Sequence, residues 1–216
     1  MPAKPKLDAA LFAQTFALQM SKADQRKAAI IEAAVGQIAR HGLTSAIFEQ
    51  VSTQLGIRRS HVNYYFKTRE ELLLSCLQYS LATAQRLTID RLQEVSDREE
   101  GLATIVTSVF DWVIDYPEQA RVFLLFHFFA AIDPDFSREN AAFRATAQER
   151  IAGMLALGSK PSAAGKKACA KLAQQIHAEI MGHLIEGLSI ERGARLAEYR
   201  ERAVASISDR IRHFKQ

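Results

Sequence analysis

Apolar residues recur along this chain at steps of three and four, and no stretch keeps the two-residue alternation of a strand. Ile30, Ile31, Ala34, Val35 and Ile38 form the first clear stripe. It predicts a helix over 24–41, with Asp24 as N-cap and Gly42 as the stop signal. A short second helix opens at Thr44-Ser45, runs through Phe48, Val51 and Leu55, and ends at Gly56. A third passes through Val62 and Phe66. Thr68 caps a fourth, over about 68–87, with Glu70 and Glu71 in the first turn, where the helix dipole favours acids. Longer helices follow over about 99–115, 117–132, 135–157, 163–190 and 195–213. Pro117 and Pro134 mark two of their starts, and residues 158–162 form the clearest internal loop. Ahead of all of these, residues 1–22 read as a leader. Its Pro2, Pro5 and lysines suit disorder, and Leu7, Leu11, Phe12 and Phe16 suit a short helix over 7–20. The fold class expected is all-α.

Composition narrows the function classes. A chain of 216 residues that is 48% hydrophobic can bury a core in one or two domains. The longest apolar run, 122–132, is interrupted by His127 and falls short of the ~18 residues a membrane span needs. No signal-peptide layout opens the sequence, so a cytoplasmic protein is expected. Cys76 and Cys169 lack metal-ligand spacing and read as free thiols. Residues 1–75 hold ten of the 28 Lys and Arg but six of the 24 Asp and Glu, so the whole +4 excess lies in the first third. A basic head on a neutral body suits a polyanion partner.

The head contains two short helices around the turn Leu55-Gly56-Ile57, the layout of a helix-turn-helix. Gly56 can take the left-handed backbone a tight reversal needs. Val51, Leu55, Ile57, Val62 and Phe66 can close a small core, leaving one polar face with Arg58, Arg59, Ser60, His61, Asn63 and Tyr64. Arg can read guanine and Asn adenine with paired hydrogen bonds, and Ser, His and Tyr reach bases or phosphates. The blander alternative is a helical hairpin with a solvated basic face.

Residues 24–75 resemble the TetR family of bacterial transcriptional regulators. The resemblance rests on Ile30-Ile31-Glu32-Ala33-Ala34, His41-Gly42-Leu43, Leu55-Gly56-Ile57 and the run from Tyr64 to Leu73, at the family's spacing. It implies a homodimer whose third helix enters the major groove of an operator. DNA contacts then fall to Ser45, Arg58, Arg59, Ser60, His61, Asn63 and Tyr64, with Lys67 and Arg69 near the phosphates. This chain departs from the family pattern at Ala46-Ile47, where hydroxyls usually open the second helix, and Ser45 or Thr44 is expected to substitute. Asn63 and Tyr65 also replace the usual Tyr and His.

The expected organisation is a leader over 1–22, a DNA-binding domain over 23–75 and a helical ligand-binding and dimerisation domain over 76–216. The resemblance implies that this last domain holds a small effector. Its aromatics suggest an apolar pocket, with Trp112, Phe123, Phe126, His127, Phe143 and His177 as candidate lining and Asp111 as a further polar anchor. Packed aromatics and a satisfied core histidine are the plainer account. Dimerisation is expected on the last two helices, through Leu184, Leu188, Leu196, Tyr199, Ala203 and Ile207. Small Ala173, Gly182 and Gly187 would allow close approach, and burial of these stripes within one subunit is the alternative. His177 and His183 are six apart, Glu179 and Glu186 complete no zinc motif, and no Gly-rich phosphate loop occurs, so neither an enzyme nor a metal or cofactor site is expected. The function expected is a dimeric regulator, a repressor of a palindromic operator released by a small molecule. An all-helical ligand- or partner-binding protein without DNA reading is the alternative.

Overall fold

The computed structural model of the chain describes Leu11, Gln14, Thr15 and residues 21–93, 95–190 and 195–214. Among these residues there is no strand, and helices carry nearly everything. They are α1 (Lys22–His41), α2 (Ile47–Leu55), α3 (Arg59–Tyr65), α4 (Arg69–Leu92), α5 (Arg98–Asp115), α6 (Pro117–Ala130), α7 (Pro134–Leu155), α8 (Ala163–Ser189) and α9 (Leu196–Arg212). The all-α class expected from the three-four periodicity is observed. None of the described helices is long and apolar enough to cross a membrane. Most of the helix expected over 7–20 lies outside the described residues. Leu11, Gln14 and Thr15 are helical, and Leu11 is buried.

Local chemistry sets the boundaries. Helix α1 starts two residues before Asp24, because Ser21 is the N-cap and Asp24 its partner one turn inside. The Asp24 N–H donates to Ser21 Oγ at 3.3 Å, and the Asp24 carboxylate accepts from the Ser21 N–H at 2.8 Å. Those bonds to Ser21 hold the Asp24 carboxyl below its ordinary range. Helix α4 outruns the expected 68–87 by a turn, since no Gly or Pro interrupts residues 57–100 and Arg86 pairs with Asp90 across one turn. Asp97 then caps α5, accepting from the N–H groups of Glu99 and Glu100 at 2.8 and 2.9 Å. Asp133 caps α7 in the same way.

The chain divides into two compact units. The first comprises residues 1–85 and 116–136. In it α1 packs on α2 and α6, and α2 on α3. Ile30, Ile31, Ala34, Val51, Val62, Phe66, Leu72, Phe123 and Phe126 are at most 1% exposed and make its core. Cys76, also fully buried, places its Sγ 3.7 Å from the Ile31 carbonyl oxygen. The second unit comprises residues 86–115 and 137–216, with α9 packed on α5 and α8. Asp111 of α5 ties three of its helices, accepting from Arg91 at 2.7 Å and Arg200 at 2.8 Å.

Candidate nucleic-acid interface

The turn between α2 and α3 is built on Gly56, whose φ of 63° and ψ of 31° are left-handed. This conformation lets the Gly56 N–H donate to Thr53 and the Ile57 N–H donate to Ser52, at 3.2 and 3.0 Å, satisfying carbonyls at the end of α2. Arg58 is extended, and the His61 N–H donates to its carbonyl at 2.9 Å, starting α3. Val62 is the single buried residue of α3 and is 0% exposed. Around it Arg58, Arg59, Ser60, His61, Asn63 and Tyr64 all stand exposed. Tyr64, 73% exposed, is the most exposed large apolar side chain of the described residues, braced only edge-on against Tyr65 at 5.1 Å. Six polar or aromatic side chains therefore project from one buried anchor, with no described acid on the helix itself.

The step from α3 into α4 carries more positive charge. Lys67 closes the end of α3, its Nζ donating to the Asn63 and Tyr64 carbonyls at 3.2 and 3.4 Å. Its backbone N–H donates to Glu71 at 2.7 Å, while the Glu71 N–H donates to the Thr68 hydroxyl at 3.1 Å. Thr68 thus caps α4, as expected. Arg69 is exposed but not idle: its Nε donates to Glu70 at 2.7 Å. Ser45 is exposed, yet neither it nor Thr44 caps α2. Ala46 occupies the N-cap position without a side-chain bond, and the Thr44 hydroxyl is turned to Gln50 at 3.1 Å. That overturns the capping expected of these hydroxyls and leaves Ser45 pointing at solvent.

The remaining candidate residues fall into separate places. Phe123, Phe126 and His127 lie together on α6 in the first unit, with ring centroids of His127 at 4.4 Å from Phe123 and 5.8 Å from Phe126. His127 Nδ1 donates to the Phe123 carbonyl at 2.9 Å, the behaviour of a histidine satisfied by its own helix. Trp112, Phe143 and His177 belong to the second unit. Trp112 and His177 are buried, and the Phe143 ring lies 6.4 Å from His177. Asp111 is taken by its two arginines, so it is a strut between helices rather than the open anchor expected. Of the dimer stripe, Leu184, Leu196, Tyr199, Ala203 and Ile207 are all at most 6% exposed in the single chain, and Leu188 is half-buried. Gly187 sits against Leu196 and Tyr199, which would crowd a Cβ there. The outward face of α8 carries instead Ala170, Gln174, Ala178, Gly182 and Ile185.

Comparison with known proteins places the helix-turn-helix. Residues 30–76 match the model of the tetR family of bacterial regulatory proteins. The chain is 27% identical over 101 residues to the HTH-type transcriptional repressor NicS of Pseudomonas putida, a stretch covering 47% of this chain and 48% of that protein. It is 26% identical over 102 residues to the HTH-type transcriptional regulator BetI of Agrobacterium fabrum, covering 47% of this chain and 50% of that one. The matched stretch thus spans about half the length of these curated relatives. The fold extends further. A transcriptional regulator from Saccharomonospora viridis, solved in complex with choline, superposes with a TM-score of 0.72 at 20% identity, covering 88% of this chain and 96% of that one. Residues 30–76 thus carry the helix-turn-helix of the tetR family of bacterial regulatory proteins, and the chain as a whole shares the helical fold of the Saccharomonospora protein.

Proposed function

We propose that the protein is a dimeric, sequence-specific transcriptional regulator in the cytoplasm, a repressor that leaves a palindromic operator when a small molecule binds. The observation that carries this is α3: a helix anchored by Val62 alone, with Arg58, Arg59, Ser60, His61, Asn63 and Tyr64 all turned to solvent. Arg59, His61 and Asn63 read base edges in the major groove, while Ser45, Lys67 and Arg69 hold phosphates. Arg69 must exchange Glu70 for a phosphate oxygen on docking. Reading two half-sites needs two recognition helices about 34–36 Å apart, hence two subunits. The stripe first expected at the dimer seam is consumed within one chain, so the seam falls on the outward face of α8, at Ala178, Gly182 and Ile185. The name of the Pseudomonas relative supports repression, and choline in the Saccharomonospora structure supports an effector.

Coupling from effector to DNA runs through α6. This helix carries Phe123, Phe126 and His127, and it packs on α1, where Arg40 meets Glu118 at 3.5 Å. An effector that binds better to one position of α6 shifts the head with it.

The test is a gel-shift series on genomic fragments selected by the protein. Arg59→Ala and His61→Ala each weaken the selected operator by roughly 5- to 100-fold, and leave random DNA nearly unchanged. Arg69→Ala weakens both DNAs and lowers the salt slope by about one. If no sequence is enriched, or the variants bind both DNAs like the parent, the DNA-reading assignment is wrong and the ligand- or partner-binding alternative stands.

A further inference from the structure

Helix α1 contains six alanines but one glycine, the buried Gly36. Glycine in a helix interior is less stable than alanine, so its presence asks for a reason. The reason lies beside it. A Cβ on Gly36 would stand 3.3 and 3.4 Å from the two terminal guanidinium nitrogens of Arg40 and 3.6 Å from Glu118 Oε2. Gly36 is the floor over which the last turn of α1 and the first turn of α6 bring opposite charges together.

Arg40 reaches two other helices at once. Its Nη1 donates to Glu118 Oε1 of α6 and its Nη2 to Gln54 Oε1 of α2, each at 3.5 Å. The same Gln54 oxygen accepts from Gln37 Nε2 at 2.7 Å. Gln54 stands two residues before Gly56, near the end of the helix that leads across the turn into α3. Four side chains therefore join α1, α2 and α6 at one point. Both charges suit the helix ends they occupy, a cation in the last turn of α1 and an anion in the first turn of α6. The pair is 42% and 31% exposed, so it is weak. Weakness suits a switch, since a strong tie would resist any effector.

We propose that Arg40 is a positioning residue for the recognition helix: it ties the end of α2 to the first turn of α6, over the space that Gly36 leaves. When Glu118 moves away with α6, Arg40 loses the anion that fixes it. Gln54 then keeps Gln37 alone, and the turn at Gly56 loosens. This role rests on the coupling through α6 proposed above and names the side chains that carry it. Its size follows from exposure, because an exposed pair changes an equilibrium by about two- to fivefold. That is smaller than the loss of a base contact, but its sign is distinctive.

Glu118→Gln tests the sign, in the full chain and with native circular dichroism checked. It removes a negative charge, which by long-range attraction alone would tighten every DNA complex. Loss of the tie has the opposite effect: the selected operator is bound about two- to fivefold more weakly, with the salt slope unchanged. Arg40→Met gives the same loss, and the double variant loses no more than either single one. Arg40→Lys, with one compact ammonium in place of the fork, keeps part of the affinity. Gly36→Ala lowers operator affinity by less, since Arg40 can yield by a few tenths of an ångström, and it melts no lower than the parent. Hydrogen exchange without DNA reads the tie directly: amides of residues 52–57 exchange faster in Glu118→Gln and in Arg40→Met, and those of residues 28–35 do not. Tighter operator binding by Glu118→Gln, additive losses in the double variant, or unchanged exchange at residues 52–57 overturns the proposal. So does a salt slope lower by about one in Arg40→Met, the mark of a phosphate contact. Exchange and gel shift separate the two readings. Faster exchange at residues 52–57 in a protein that binds no operator sustains the tie and refutes the regulator, whereas operator binding with unchanged exchange refutes the tie alone.

Discussion

Gly56 and Gly42 stand at the ends of consecutive helices, and each has empty space where a Cβ would go. Any penalty for Ala at either site is therefore a backbone penalty. The two backbones differ. Gly56, at φ 63° and ψ 31°, is in the left-handed region, where an L-residue loses roughly 1–2 kcal/mol. Gly42, at φ 72° and ψ −175°, lies in a region reached essentially by glycine alone, with a penalty near the upper end of about 1–3 kcal/mol. Ala also stiffens the unfolded chain, which offsets about 0.4–1 kcal/mol of either loss and cancels in the comparison. Gly56→Ala should thus destabilise by about 1 kcal/mol and Gly42→Ala by about 2. Asn tolerates the left-handed region through its short polar side chain, so Gly56→Asn should recover part of the loss, and Gly42→Asn should not. Urea unfolding followed by circular dichroism, with unchanged m, reads these differences. Equal losses for Ala at the two positions, or no advantage of Asn over Ala at 56, would refute the claim that turn geometry dictates these glycines.

Two further outcomes follow from burial and from open space. Burial pushes the Cys76 thiol well above its ordinary range, so above about pH 8.5 the unfolded chain loses a proton that the folded one keeps. Stability from this group is full below that pH and falls by about 1.4 kcal/mol per unit above it, or about 2 kcal/mol by pH 10. The gap in urea midpoint between parent and Cys76→Ala, in reductant, should therefore narrow from pH 8 to pH 10, and a constant gap refutes the assignment. At Gly182 on the outward face of α8, a Cβ would meet nothing within the chain. Gly182→Arg should fold as well as the parent but run as a monomer in light scattering, and an unchanged dimer moves the seam elsewhere.

How much of this was legible in the sequence varies with the physics involved. The helix-turn-helix was legible in outline because its determinants are local, although Leu55 and Ile57, expected in its core, are only half-buried. Gly56 stops α2, Thr68 caps α4, and Val51, Val62 and Phe66 are buried on either side of the turn. Boundaries slipped where a cap lay one turn from its partner, as with Ser21 and Asp24, or where nothing in the sequence forced a stop, as at the end of α4. The capping expected of Thr44 or Ser45 failed because a hydroxyl near a helix start has other options, and Thr44 took Gln50.

The second unit was legible as helices but not as surfaces. Periodicity says that one face of a helix is buried; it does not say what buries it. Leu184, Leu196, Tyr199 and Ile207 satisfy the same pattern whether they meet a second subunit or their own chain, and here they meet their own chain. Asp111 looked like an anchor only until Arg91 and Arg200 were found on it, partners 20 and 89 residues away in sequence. Long-range pairing is what turns such a residue from a candidate anchor into a strut between helices.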